Sequence, residues 1–439
     1  MISSAGQRYL DEAQLFGIKL GLDNMKGMLA SLGQPQEKFS AIQVAGTNGK
    51  GSVSAILERI FRLNGYKTGL YTSPHLVEVR ERIRVNGWMI PEDTFCRLLL
   101  DLKKREKKLK KTGQVTGALT FFEILTLCAF EYFSQEKVDL AMVEVGLGGR
   151  FDATNVITPE LSVITSVSYD HQQYLGYTLT KIASEKAGII KKGIPCLAGV
   201  RNNTVLKVIE KKCRERGAPL IRAFSQGRKL TYRSTPDGYQ FTFKTPSATY
   251  HFKPSLPGLH QGENAAIAIA ASETLREQGY QLKKDKIVEA IETVNWPGRL
   301  EIISRVPLII LDGGHNEDGA RAVSDYVREK IGQPLILVFA IMKDKDIEKV
   351  AGKLFPLASR IILTRPPLDR AARPEDIAQR LKKFSPLFFL EDDVPSALRL
   401  ALTLSSGKVP VLVAGSLFLV GEAKKFFAGL NPEAQLACL

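Results

Sequence analysis

The chain has 439 residues, 44% of them hydrophobic and 24% charged, with a formal net charge of +15 at pH 7. That length exceeds one ordinary core and that composition is globular, so two or three domains are expected and a disordered or fibrous chain is excluded. No stretch approaches the roughly 18 consecutive apolar residues of a membrane span, and the N-terminus lacks a basic start followed by a long apolar run, so the expected compartment is cytoplasmic.

In chain order, Ala41 to Ala45 reads as a short apolar strand, followed by a glycine-rich turn and a helix. That helix carries Val53, Ile56, Leu57 and Ile60 at the spacing of one buried face. Tyr66 to Thr72, Val138 to Val145, Leu161 to Val167 and Ile194 to Gly199 read as further strands, with helical patterns at Phe121 to Phe133 and Thr204 to Arg216 between them. Such alternation predicts a mostly parallel sheet with helices on both faces, an α/β domain of P-loop type. Between the strands, Arg97 to Lys111 holds eight Lys or Arg against two acids, while Phe95, Leu98, Leu99, Leu102 and Leu109 fall near helical spacing. It reads as a surface helix with a solvated basic face.

Lys229 to Lys253 breaks the rhythm, alternating apolar and polar residues around Pro236-Asp237-Gly238. We read it as an antiparallel hairpin or meander appended to the first domain. A helix returns over Gly262 to Gly279, and Asn295-Trp296-Pro297-Gly298-Arg299 is the best linker, since Pro and Gly interrupt both helix and strand. Strands at Pro307 to Asp312, Leu335 to Ala340, Arg360 to Thr364 and Val409 to Ala414 then alternate with helices again. The expected organisation is a central domain over 1–295, a hinge at 296–299 and a smaller Rossmann-like α/β domain over 300–439.

Cys96, Cys128, Cys196, Cys213 and Cys438 are far apart and form no CxxC pair. Neither a zinc knuckle nor a disulfide framework follows, and they read as small core residues in a reducing compartment. The basic charge suits polyanionic small molecules such as ATP or a polycarboxylate. No aromatic-interleaved basic stripe supports nucleic acid, and neither nucleic acid nor a membrane is expected as a partner.

The strongest motif is Gly46-Thr47-Asn48-Gly49-Lys50-Gly51-Ser52, placed between a strand and a helix. Glycines let backbone N–H groups turn onto phosphate oxygens, and the helix N-terminus adds its dipole. Lys50 would reach the β/γ-phosphates, while Ser52 or Thr47 could assist phosphate or metal. The spacing departs from the standard P-loop, because Gly51 intervenes between the lysine and Ser52. Glu144, His171 and Ser73 each follow or end a predicted strand, so their side chains are expected at one sheet edge beside this loop. Oxygen ligation by Ser73 and Glu144 together with phosphates suits Mg²⁺; His171 is either a further ligand or a structural hydrogen-bonder. His75, His171, His260 and His315 each sit inside one of the sequence blocks that follow, which favours function for the group, and His251, in the meander, reads as a bystander.

The sequence AGTNGKGS resembles the phosphate loop of the folylpolyglutamate synthase and dihydrofolate synthase family, within the Mur ligase superfamily. Similar blocks follow in order: Thr72-Ser73-Pro74-His75-Leu76, Glu144 to Asn155, Asp170-His171, Glu185 to Ile189, His260-Gln261 with Asn264-Ala265, Trp296 to Glu301, Leu311 to Asn316 and Gly415-Ser416-Leu417. Two positions depart from the family pattern: Gly314 stands where alanine is usual and Glu317 where proline is usual.

The resemblance implies ATP-dependent joining of a glutamate amine to a folate carboxylate through an acyl phosphate, with ATP as substrate, two Mg²⁺ ions and a monomeric enzyme. It implies that Asn264, Arg299 and Asp312 hold the nucleotide with the loop, that Thr120-Phe121-Phe122-Glu123 contacts the pterin, and that His315 and Ser416 lie near the incoming glutamate. An ammonium at Lys186 beside the metals would repel them. The resemblance implies that Lys186 is carbamylated and acts as a carboxylate-like ligand, while an ion pair with Glu144 or Glu185 is the alternative from the residues alone. Lys50, Lys186 and His315 are the expected catalytic residues. Two other functions compete. A peptidoglycan-precursor ligase of the same superfamily usually has a nucleotide-sugar domain before the phosphate loop, for which 45 residues are too few. A nucleic-acid-stimulated ATPase would show turnover raised by RNA or DNA.

Overall fold

The computed structural model describes residues 4–14, 17, 21–382, 384 and 388–430, so Cys438 and the end of the expected second domain lie outside the described residues. The first sheet contains β1 (Ser40–Ala45), β2 (Thr68–Tyr71), β3 (Ile83–Val85), β4 (Trp88–Met89), β5 (Leu140–Glu144), β6 (Leu161–Ile164), β7 (Cys196–Ala198) and β8 (Leu220–Arg222). Their order is β4-β3-β2-β5-β1-β6-β7-β8. The six strands from β2 to β8 in that order are mutually parallel, and β3 and β4 form an antiparallel edge. β1 and β5 are buried almost throughout, as parallel strands covered by helices on both faces must be.

The Lys50–Leu63 helix covers one face with Val53, Ile56, Leu57 and Ile60, all inside the core. On the other face Phe121–Gln135 and Glu92–Lys111 pack with the Asp23–Ser31 helix. The basic run forms the amphipathic helix expected of it: Phe95, Leu98, Leu99, Leu102 and Leu109 are buried. Helix starts follow capping chemistry, as at Asn202, whose side chain accepts from Thr204 N at 2.9 Å and Val205 N at 3.2 Å.

The meander is a separate three-stranded antiparallel sheet of β9 (Lys229–Thr235), β10 (Gly238–Lys244) and β11 (Thr249–Phe252). Thr235 pairs with Gly238, so Pro236 and Asp237 make the two-residue turn. Its inward aromatics pack on the Leu259–Glu277 helix, which is buried on nearly every side. Small residues make that contact possible: a Cβ on Gly262 would lie 2.1 Å from the Phe241 ring. The second sheet has β12 (Glu301–Arg305), β13 (Leu308–Asp312), β14 (Leu335–Phe339), β15 (Ala358–Leu363), β16 (Phe389–Leu390) and β17 (Val411–Ala414), in the order β12-β13-β17-β14-β15-β16. All its pairings are parallel except that of β12 with β13.

In each sheet the chain leaves one strand in one direction and a later strand is inserted beside it. β1 sits between β5 and β6, and β17 between β13 and β14. Such switch points open a crevice beyond the carboxyl ends of the strands, where ligands bind in open α/β sheets. Here the two crevices share one cavity.

Candidate active site between the two sheets

The phosphate loop leaves β1 and is pinned to the end of β6. Thr47 N donates to Ser166 O at 2.8 Å, Asn48 N to Ser166 Oγ at 2.8 Å, and Thr165 Oγ1 to Asn48 O at 2.7 Å. Gly49 caps the Lys50–Leu63 helix with φ of 84°, and a Cβ there would lie 2.3 Å from Asn264 Oδ1. Its two constraints, left-handed backbone and close approach, both demand glycine. The extra glycine of the loop has a reason too: a Cβ on Gly51 would lie 3.0 Å from Trp296 Nε1. The linker tryptophan therefore packs on the first turn of the phosphate helix.

Lys50 Nζ donates to Thr47 O at 3.2 Å and stands 4.0 Å from Glu144 Oε1. Glu144 ends β5, is 4% exposed, and accepts from Ser73 N at 3.1 Å through Oε2. Burial pushes its carboxyl up, against the charge of Lys50 and the Ser73 N–H. Lys186, 4% exposed, donates from Nζ to Gly46 O at 2.8 Å. Burial first, and the nearby Lys50 charge second, lower its ammonium to about 7. No ion pair holds Lys186 among the described residues; Glu185 faces Arg150 at 3.2 Å and Glu144 faces Lys50. The ion-pair alternative for Lys186 is thus not what the structure contains.

His171 adopts a left-handed backbone, φ 50°, at the start of a short helix. Its Nε2 accepts from Lys345 Nζ at 3.1 Å and lies 3.8 Å from Asp170 Oδ1. Lys345 also pairs with Asp170 Oδ1 at 2.6 Å. Asp170 is desolvated, yet the neighbouring His315 imidazole and the Lys345 charge hold it well below the usual carboxylate range. Burial pushes the His171 imidazole down to about 4.

From the second sheet, Asp312 ends β13 and accepts from Leu300 N at 2.8 Å and Gly314 N at 2.7 Å. Arg299 donates to Gly298 O at 3.0 Å and its charge acts on Asp312. His315 Nδ1 faces Gly313 O at 2.9 Å; since a carbonyl only accepts, Nδ1 carries a proton, and Nε2 lies 3.7 Å from Asp170 Oδ2. Asn316 caps the Glu317–Lys330 helix and also bonds the phosphate loop, its Nδ2 donating to Asn48 Oδ1 at 2.9 Å. Both departures from the family pattern fit locally. Glu317 occupies the first helical position, where an acid is favoured as proline is. A Cβ on Gly314 would come within 2.9 Å of Asp312 Oδ1.

Every expected site residue except Phe121 lines one cavity of about 1300 Å³ between the two carboxyl edges. Phe121 instead lies beneath the Arg82 guanidinium, 5.1 Å from its ring centre, while Phe122 faces the cavity. Thr120 and Glu123 form a reciprocal cap of the Phe121–Gln135 helix, Thr120 N donating to Glu123 Oε2 at 2.7 Å and Glu123 N to Thr120 Oγ1 at 3.2 Å. His251 is paired with Thr242 at 3.0 Å on the outer face of the meander, away from the cavity. Among the described residues no three His, Cys, Asp or Glu side chains gather as a metal cluster. Lys345, Arg82, Arg370 and the aromatics Tyr239, Phe241 and Tyr326 also line the cavity, unanticipated by motif. For Lys345 the signal was present: a charged Asp344-Lys345-Asp346 run just beyond the apolar strand β14.

Two family models match the chain: Mur ligase middle domain over residues 92–272, and Mur ligase, glutamate ligase domain, over 298–417. The dihydrofolate synthase/folylpolyglutamate synthase of Bacillus subtilis (strain 168) is 36% identical over 416 residues, covering 93% of this chain and 95% of that protein. The structure of Mycobacterium tuberculosis folylpolyglutamate synthase complexed with ADP and AMPPCP matches with a TM-score of 0.89 at 29% identity, covering 96% of this chain and 99% of that one. That of E. coli FolC in complex with DHPP and ADP matches with a TM-score of 0.85 at 29% identity, covering 97% of each chain. With its phosphate loop, its two facing switch points and this full-length similarity, the chain belongs to the folylpolyglutamate synthase/dihydrofolate synthase family of Mur ligases.

Proposed function

We propose that the chain joins L-glutamate to the γ-carboxylate of a reduced folate at the expense of ATP, through an acyl phosphate. One observation carries this reading: a single cavity holds a phosphate loop at one end, an aromatic and capped helix start at another, and His315 and Ser416 on the facing domain. The γ-phosphoryl group passes from ATP to a carboxylate oxygen, leaving ADP. The glutamate amine then attacks the acyl carbon, loses a proton as the C–N bond forms, and expels phosphate.

Lys50 and Arg299 meet the phosphate charge, and the loop N–H groups orient the transfer. Asn264, locked between Gly49 and Gln261, supports the nucleotide side of the loop. Asp312 keeps spare acceptor capacity on both oxygens for a ribose hydroxyl. His315 and Ser416 receive the incoming glutamate, and the Thr120–Glu123 segment presents Phe122 to the pterin. Trp296 to Arg299 act as the hinge on which the second domain closes, excluding water from the acyl phosphate.

The donor set fits Mg²⁺: Ser73 and Glu144 offer oxygen at adjacent strand ends, and the small number of protein ligands suits an ion that keeps waters and phosphate oxygens. When bound, Mg²⁺ supplies charge neutralisation between phosphate and carboxylate. Lys186, buried, without an ion-paired acid among the described residues and with its ammonium lowered to about 7, has the amine that carbamylation needs. His171 contributes through a ring nitrogen or by orienting Lys345.

The test is direct. Purified protein with ATP, glutamate and tetrahydrofolate should release ADP and a folate one glutamate longer, detected by mass; ATP turnover that ignores folate but rises with RNA would sink the reading. The relative named for both activities supports a second acceptor, dihydropteroate, which the same assay examines.

A further inference from the structure

Arg82 is 8% exposed, yet no carboxylate pairs with it among the described residues. Its Nε donates to His75 Nδ1 at 2.9 Å and its guanidinium lies over Phe121. The two terminal nitrogens make no hydrogen bond to described residues, and the side chain lines the cavity. Glu144 and Glu81 act on this guanidinium only from a distance, so its two terminal nitrogens remain open to an anion in the cavity. Facing it from the second domain is Arg370, in the loop after β15, 4.7 Å over the Phe418 ring and likewise without a carboxylate among the described residues. The helix that carries Phe418 packs on the Arg82 side of the cavity: Leu76, next to Arg82's partner His75, sets its carbonyl so close to Gly421 that no Cβ would fit there. Two like charges brought together by two domains in one cavity define an anion site.

Its position selects the anion. Arg82 O accepts from Thr72 N at 3.0 Å, so this side chain stands beside Ser73 and Glu144, on the side of the cavity where Phe122 lies. Nucleotide phosphates belong to the loop at Lys50. A glutamyl residue at the end of a folate carries two carboxylates, and only one may be activated. We propose that Arg82 and Arg370 clamp the α-carboxylate of the acceptor's terminal glutamate, leaving its γ-carboxylate alone to reach the phosphate loop. This rests on the ligase reading above. Each planar fork can bond a carboxylate oxygen pair, and the pair forms only when the domains meet, which couples acceptor recognition to closure.

Dihydropteroate separates this idea from others, because it has the pterin and an aryl carboxylate but no glutamate. With Arg370→Ala, whose side chain is exposed and whose loss spares the core, KM for tetrahydrofolate should rise about ten- to a hundredfold. The dissociation constant of dihydropteroate, measured by calorimetry, and KM for L-glutamate should stay within about twofold. Arg82→Lys keeps the charge without the fork and should also raise KM for tetrahydrofolate. An unchanged tetrahydrofolate KM in Arg370→Ala overturns the clamp. So does an equal weakening of dihydropteroate, or a rise confined to L-glutamate, which would place the arginines on the incoming amino acid. If wild type fails to extend tetrahydrofolate at all, the ligase reading falls first and the clamp with it.

Discussion

Across the cavity, the end of β1 and the end of β13 occupy matching places in their sheets, yet they treat charge in opposite ways. At the first, Lys50 and Lys186 donate to carbonyls of the loop itself, Thr47 O and Gly46 O, and the nearest acid, Glu144, is 4.0 Å from Lys50. At the second, both oxygens of Asp312 accept backbone N–H groups from Leu300 and Gly314. One edge holds two lysines with a single acid, Glu144, set at the limit of ion-pair distance from one of them; the other fixes its acid within a backbone cage. The cationic edge is therefore primed for an anionic ligand, and the caged edge is built to hold a loop in one shape. Substitutions at the first edge should remove chemistry with little effect on folding, and those that alter the second should act through geometry.

The largest effect tests the cationic edge. Lys50→Ala should lower turnover at least about a hundredfold, some 2.7 kcal/mol of transition-state stabilisation, with an unchanged thermal midpoint. Retention of more than about a tenth of wild-type turnover would remove Lys50 from phosphoryl transfer. Lys186 sharpens the comparison. A carbamate requires a lysine amine, so Lys186→Ala and Lys186→Arg should be equally inactive at saturating Mg²⁺, and a small carboxylic acid should restore part of the alanine variant's rate. An active arginine variant would show that a cation suffices there and would end the carbamate idea.

Legibility differed between the two edges for a physical reason. Apolar strands and glycine turns follow from local preference, so β1, β5, β6 and β13 were readable within one to three residues at their ends, as were the Lys50 loop and the basic helix. Short strands at or next to a sheet edge carry little hydrophobic signal: β3, β4, β8, β12 and β16 escaped, and the helix expected from Gly262 begins at Leu259. The positions of Glu144 and Asp312 at strand ends could be inferred because open sheets place ligands there, whereas His171, expected just after β6, sits seven residues beyond it at the start of a short helix. Arg82 and Arg370 could not, since their meaning lies in a meeting of two domains separated by almost 300 residues of chain. Lys345 is intermediate: its place after β14 was readable, its pairing with Asp170 was not.

Acid should act on both edges through histidine. Burial lowers His75 to about 3, and His171 and His260 to about 4. Each native pKa lies below the ordinary value near 6.5, so between them the unfolded chain binds more protons and stability falls as pH drops through that window. Glu144 and Asp312, pushed up by burial, act in the opposite sense, so the measurement is a difference. Compared with His260→Gln, wild type should lose about 1–2 kcal/mol more urea stability between pH 7 and pH 5. Parallel losses would show that His260 is protonated in the native state.

The smallest effect concerns how the two edges are held apart. The Glu317–Lys330 helix is tied at its start to the phosphate loop, through Asn316 and Asn48, and at its end to the meander. There Glu329 accepts from Ser234 Oγ at 2.5 Å and Tyr239 OH at 2.6 Å. Lys330 donates to Ser234 Oγ at 2.6 Å and Thr235 O at 2.8 Å, and stands 4.3 Å over the Tyr239 ring. Both ends cannot remain fixed if the helix moves with a closing domain, and the end at the meander involves no expected ligand contact through Glu329 or Lys330. Partly exposed pairs of this kind contribute about 0.5–1.5 kcal/mol, enough to bias an open–closed equilibrium several-fold without changing the fold. Lys330→Ala should therefore expand the ligand-free small-angle scattering profile, while the profile with an ATP analogue and folate stays that of wild type, because the ligands hold the other end. Turnover should change by less than about threefold. If the ligand-free profiles of variant and wild type superimpose, the meander contact follows domain position and does not set it.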